Sequence, residues 1–133
     1  VKAQAQAAIE RYGAGAGASR LVTGNHPLYS ELESRLATLK GAEDAIVFGS
    51  GYMANIGIIP ALISEQDVVF VDELAHACIF AGARLSHGSC HVFRHNDMSH
   101  LETLLRDHRG NHPRAMVLTD GVFSMVICAP RKK

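Results

Sequence analysis

The sequence predicts an α/β fold, part of a doubly wound parallel sheet with helices on both faces. Three observations carry that reading. From residue 44 onward, short apolar runs alternate with helical stretches. The runs "DVVFVD" and "RAMVLTDGV" lack the polar alternation of a strand with one wet face, as expected where helices cover both sides. The β-α repeat is also long enough for right-handed crossovers between parallel neighbours.

The elements follow in order. Residues 2–12, "KAQAQAAIERY", are rich in Ala, Gln and Glu and predict a helix. "GAGAGAS" then alternates Gly and Ala, where no helix should persist. In "LYSELESRLATLKG", Leu28, Leu32, Leu36 and Leu39 recur at helical spacing, with Gly41 as a C-cap. "DAIVFGS" predicts a first strand, and "GYMANIGIIPALI" a helix that Pro60 should kink or shorten. "DVVFVD" is the second strand, and "ELAHACIFAGARLSHG" is mostly helical. "CHVFRHND" is the third strand, "MSHLETLLRDHRG" a helix capped by Asp97 or Ser99, and "RAMVLTDGV" the fourth strand.

Composition excludes several classes of function. The 13 basic and 13 acidic side chains cancel, so nothing marks a nucleic-acid or anionic-membrane partner. No apolar run approaches a membrane span and no signal-peptide pattern opens the chain. Cys78, Cys90 and Cys128 are odd in number and scattered, which predicts a reduced, cytoplasmic setting. The absence of an initiator Met at Val1 suggests processing or a fragment.

Four stretches could carry chemistry. "GAGAGASR" lacks the spacing of a dinucleotide loop and follows a helix, so close packing against a substrate or another chain is the better reading. "VFGSGYMAN" joins a strand to a helix; at Gly51 and Tyr52 the helix start offers free N–H groups to an anion, and the Tyr52 ring could cover a flat ligand. A plain turn with a core tyrosine is the alternative. "VDELAHAC" sets Asp72 at a strand end with His76 four residues on, where open sheets place their sites. His76 could stack on an aromatic ligand, act as acid or base, or be structural. "HGSCHVFRHND" holds His87, Cys90, His91 and His95 and suggests a metal, but adjacent strand residues face opposite ways, so no metal is expected.

The motifs "RYGAGAGASRLVTGNHPLYSELESRLATLKG", "AIVFGSGYMAN", "VDELAHAC", "FRHNDMSHLE" and "TDGVFSM" occur in the order and spacing of the α-oxoamine synthases, which the chain resembles from Val1 to Met125. The resemblance implies the large domain of a fold-type I transferase dependent on pyridoxal 5′-phosphate (PLP), incomplete here. "GAGASRLVTGNHPLY" looks most like the 8-amino-7-oxononanoate synthase branch of biotin biosynthesis; 5-aminolevulinate synthase, 2-amino-3-ketobutyrate CoA ligase and serine palmitoyltransferase share the scaffold. The implied reaction condenses an amino acid, L-alanine in the biotin branch, with a pimeloyl thioester of CoA or acyl carrier protein, with decarboxylation. The partners it implies are these small molecules and a second subunit in a homodimer.

By resemblance, Gly51 and Tyr52 form the cofactor's phosphate turn, and His76 stacks on its ring beside the substrate. Ser124 bonds near the phenolic oxygen, Asp120 shapes the same loop and Asn55 is mainly structural. Ser19 and Arg20 belong to the substrate-side loop. The implied organisation is 1–41 for the first helices and glycine loop, 42–125 for cofactor-binding β-α repeats, and 126–133 for a divergent tail. The family continues "GVFSM" as Asp-Gly-Asp-x-Ala-Pro, whereas this chain runs Val126-Ile127-Cys128-Ala129-Pro130. The pyridinium aspartate, a later histidine and the Schiff-base lysine have no match. The chain alone is therefore expected to be inactive and to bind PLP weakly if at all. The alternative is a non-catalytic module that associates with a full-length homologue.

Overall fold

The computed structural model describes residues 1–124; the expected divergent tail at 126–133 lies outside the described residues. The chain divides into two compact units, Val1–Val47 and the residues from Phe48 onward.

In the first unit, helix α1 spans Lys2–Tyr12 and α2 spans Pro27–Lys40. Proline at the first position of α2 lacks only an N–H that no helical carbonyl would have accepted. Gly41 ends α2 in the left-handed region at φ 65°, the C-cap expected from the sequence. The leucine stripe of α2 forms on the helix, but Leu28, Leu32 and Leu39 remain exposed. An apolar groove of about 590 Å³ runs along both helices, lined by Ala5, Ile9, Tyr12, Leu28 and Leu32 among others.

The second unit holds a parallel sheet of three strands: β1 (Val68–Asp72), β2 (Ser89–Phe93) and β3 (Ala115–Leu118), in the order β2-β1-β3. Helix α3 (Gly51–Leu62) precedes β1, α4 (Ala77–Leu85) links β1 to β2, and α5 (Met98–His108) links β2 to β3. The chain travels from β1 to β2 in one direction and from β2 back past β1 in the other. With one crossover hand, those opposite journeys place α4 and α5 on opposite faces.

Burial on β1 shows the same thing residue by residue. Val69 and Val71 pack with Ile59, Ile63, Cys78 and Ile79 of the α3 and α4 side. Val68 and Phe70 pack with Phe93 and with Leu101, Leu104 and Leu105 of α5. All five residues of β1 are buried, which explains its unbroken apolar run. Each of its four apolar side chains, Val68 to Val71, contributes roughly 1.5–3 kcal/mol on burial.

Two expectations change. "DAIVFGS" is irregular in the structure: a strand needs a ladder partner, and none of the described strands lies beside it. Helix α3 continues two residues past Pro60 to Leu62, because burial of Ile59 and Ile63 against β1 and α4 offsets the missing N–H. Among the described residues, no helix is long and apolar enough to cross a membrane.

Candidate functional site

The chemistry-bearing residues of the second unit gather where its parallel strands end, at their carboxyl edge. Helix α3 starts there. Ser50 is its N-cap, and the hydroxyl accepts the Met53 N–H at 3.1 Å. The N–H groups of Gly51 and Tyr52, in the first turn, have no intrahelical acceptor and sit at the positive end of the helix. A Cβ added at Gly49 or Gly51 would meet nothing within 4 Å, so the turn opens onto free space. Tyr52 is half exposed. This donor set, with room for close approach, suits a phosphate dianion.

His76 caps the next helix. Its Nδ1 accepts the backbone N–H of Cys78 at 3.2 Å, which fixes the ring at the start of α4. Its own backbone N–H donates to Asp120 Oδ2 at 2.7 Å, tying the start of α4 to the loop after β3. Asn55 joins the two helices: its Nδ2 donates to the Gly51 carbonyl at 3.0 Å and to Cys78 Sγ at 3.2 Å. The helices approach so closely that a Cβ on Gly82 would lie 2.6 Å from the Asn55 carbonyl oxygen. The donor turn and His76 are thus held by one hydrogen-bond chain on one side of the sheet. Ser124 lies exposed in the turn four residues after Asp120.

Asp72 has a different task from the one its strand-end position suggested. Its carboxylate is buried and accepts from the Leu74 N–H at 2.9 Å, His95 Nδ1 at 3.0 Å and the Asn96 N–H at 3.3 Å. Burial pushes its pKa up, but these bonds outweigh that and hold it below the usual carboxylate range. Phe123 meets the His95 ring edge-on at 4.4 Å. The group locks the ends of β1 and β2 together. Of the other suspected metal ligands, His91 stacks on His108 on the α5 side, with ring centroids 3.8 Å apart. Among the described residues, no group of three or more His, Cys, Asp or Glu could share an ion.

Ser19 and Arg20 belong to the first unit. The Ser19 carbonyl accepts the N–H groups of Val22 and Gly24, closing a tight turn. The Arg20 guanidinium donates to both Glu33 carboxylate oxygens at 2.7 and 3.0 Å, to the Val47 carbonyl and, through Nε, to Asn25. It also lies over the Tyr29 ring at 4.5 Å. The bond from Arg20, and then one from the Val47 backbone N–H at 2.8 Å, hold the Glu33 pKa low. The Arg20 bonds use four of the five guanidinium N–H donors and leave one on Nη2 for a further partner.

Sequence reading gave Cys78 no place in the site and Asn55 a mainly structural one, and Asn55 is found bridging the two helices. A signal was present in the spacing: Asn55 lies four residues after Gly51 and faces back along the first turn of α3.

Residues 1–128 match the family "Aminotransferase class I and II". The chain is 63% identical over 118 residues to the 8-amino-7-oxononanoate synthase of Granulibacter bethesdensis, covering 89% of the chain and 31% of that protein. It is 59% identical over 125 residues to the corresponding synthase of Beijerinckia indica, covering 94% and 32%. It therefore spans about a third of the length of the curated relatives it matches. Among solved structures, serine palmitoyltransferase of S. paucimobilis with bound PLP–myriocin aldimine superposes with a TM-score of 0.87 at 35% identity, over 93% of this chain and 32% of that one. The 8-amino-7-oxononanoate synthase of Francisella tularensis superposes at 0.73 with 28% identity, over 93% and 33%.

Proposed function

Because the chain belongs to the aminotransferase class I and II family, we propose that it carries the cofactor-side part of an α-oxoamine synthase of biotin biosynthesis. The family's cofactor is PLP, and the residues present fit it. The N–H groups of Gly51 and Tyr52 would hold the phosphate, and His76 would cover the ring. Ser124 would bond on the phenolic side, and Asp120 would hold the main chain of His76 in place. When bound, PLP supplies the electron sink for loss of an amino-acid α-proton. The observation that carries this reading is the Asn55 bridge, which fixes the anion-binding turn of α3 beside the His76 helix.

The substrates in this reading are L-alanine and a pimeloyl thioester, by similarity to the named synthases. Ser19 and Arg20 form the substrate-side loop, and the exposed leucines of α2 form part of a homodimer surface. The free thiols Cys78 and Cys90 support a cytoplasmic setting. These 133 residues by themselves are expected not to turn over, because none of their lysines matches the Schiff-base position. A second reading, a serine palmitoyltransferase-like enzyme, draws support from the structural neighbours. A non-catalytic module docking on a homologue draws support from the exposed α2 stripe.

Two assays test this. PLP absorbance titrated against the 133-residue chain is expected to give weak binding, and tight stoichiometric binding would refute the expectation. Carbon dioxide release by the full-length protein is expected with L-alanine and pimeloyl thioester. Release only with L-serine and a long-chain acyl thioester would transfer the assignment to the second reading.

A further inference from the structure

We propose that Cys78 and Asn55 are positioning residues for His76, holding its imidazole in the tautomer that carries the proton on Nε2. Only the catalytic consequence rests on the reading of His76 as the ring-covering residue; the geometry does not.

The direction of each hydrogen bond decides the tautomer. A backbone N–H can only donate, so the Cys78 N–H at 3.2 Å requires a lone pair on His76 Nδ1. The Cys78 Sγ lies 2.9 Å from the same nitrogen. Asn55 Nδ2 can also only donate, and it points at that sulfur from 3.2 Å. With Asn55 donating to the sulfur, the S–H is left to donate to Nδ1, sharing with the Cys78 N–H the one lone pair of that nitrogen. One ordered chain results: Asn55 N–H to Sγ, S–H to Nδ1, with the ring proton left on Nε2. The alternative, a thiolate beside a doubly protonated ring, would turn Nδ1–H against the Cys78 N–H and break the helix cap.

Burial makes the arrangement firm. Cys78 is 5% exposed and packs in the core between α3, α4 and β1, so its sulfur cannot trade Asn55 or His76 for water. Asn55 is anchored in turn by its bond to the Gly51 carbonyl. His76 itself is exposed, and the arrangement leaves its Nε2–H as the ring's donor. The same anchor reaches the phosphate turn: Asn55 sets the Gly51 carbonyl and the thiol that sets His76. Catalytic geometry at two places then depends on one amide.

The test is long-range ¹H–¹⁵N spectroscopy of histidine-labelled full-length protein without cofactor. The His76 ring is expected to show protonated Nε2 and hydrogen-bonded, unprotonated Nδ1. Cys78→Ser keeps a donor at Nδ1 and should retain the pattern, its stronger O–H moving the Nδ1 shift further in the hydrogen-bonded direction. Cys78→Ala should raise the Nδ1–H fraction about fivefold, the worth of one ordinary hydrogen bond, and Asn55→Ala, which leaves the thiol in place but free to turn away, should raise it by less. A parent protein with Nδ1–H or a doubly protonated ring overturns the proposal, and so do alanine variants with an unchanged tautomer ratio. If the alanine variants do not fold, an unchanged Nδ1 shift in Cys78→Ser overturns it. Because the spectra are recorded without PLP, a failure of cofactor binding does not alter the tautomer they report. An unexpected tautomer likewise leaves the cofactor assignment intact.

Discussion

The backbone N–H of His76 donates to the carboxylate of Asp120 at 2.7 Å, across 44 residues of sequence. The bond joins the loop after β3 to the first turn of α4, so the main chain of His76 is placed by a neighbouring strand's loop as well as by its own helix. Asp120→Ala removes the acceptor and should lower unfolding free energy by about 1 kcal/mol, the net worth of an ordinary hydrogen bond. Asp120→Asn keeps an oxygen there and should lose less. Urea unfolding curves of the three proteins check the order, and equal midpoints would show that the contact contributes nothing.

Gly82 governs how closely α3 and α4 can pack. The Asn55 carbonyl is backbone and cannot swing aside, and the Ile59 side chain closes the space from the other direction, 2.7 Å from a Cβ at Gly82. Gly82→Ala should therefore cost roughly 1–3 kcal/mol, as overpacked cores do, despite the better helix propensity of alanine. Gly110→Ala meets open space and is the control. Thermal unfolding that leaves Gly82→Ala at or above the parent would contradict the packing argument.

The β-α alternation, the Gly41 terminus and an α5 cap at Asp97 or Ser99, found at Asp97, were legible in the sequence because each depends on neighbours a few residues away. The strand expected at "DAIVFGS" was not, because strand formation depends on a partner that no local pattern reveals. Within the candidate site, the turn at Gly51 and the strand-end position of His76 could be read from order alone. What Asp72 does could not: its charge looked available, yet the fold commits it to His95 and Asn96, 23 and 24 residues away. Cys78 was invisible for the same reason, since its importance lies in Asn55 reaching it from another helix.

Arg20 offers a test between a structural and a substrate-side role. Its bidentate pair with Glu33 and its bond to the Val47 carbonyl hold the end of the first unit against α2. Arg20→Ala should speed amide exchange at Val47, whose own N–H is bonded to Glu33 at 2.8 Å. Arg20→Lys cannot replace a planar two-pronged donor and should recover only part of the protection. If exchange is unchanged while KM of the full-length enzyme rises, Arg20 acts on substrate and the internal bonds are incidental.

Acid should weaken the second unit in two stages. The first involves His91, whose pKa is lowered by burial and then by repulsion from His108 and His112. A histidine lowered in the fold leaves the unfolded chain holding more protons, so stability rises with pH through that window. This contribution is complete above about 6.5, the ordinary histidine value, and declines as pH falls from there to the folded value. The second stage involves Asp67 and Asp72. Bonds from the Ser64 backbone and hydroxyl and from Arg114 outweigh burial and hold Asp67 low, while Asp72 is held low against its burial by Leu74, His95 and Asn96. Carboxylates lowered in the fold stabilise fully above about 3.9, the ordinary aspartate value, and lose that stabilisation as pH falls through their folded values. Urea midpoints measured against pH should therefore fall first below neutrality and again in strong acid. His91→Phe should remove the first fall and Asp67→Asn should flatten the second. An Asp67→Asn protein that keeps the full acid slope would mean that Asp67 is bonded no better in the fold than in the unfolded chain.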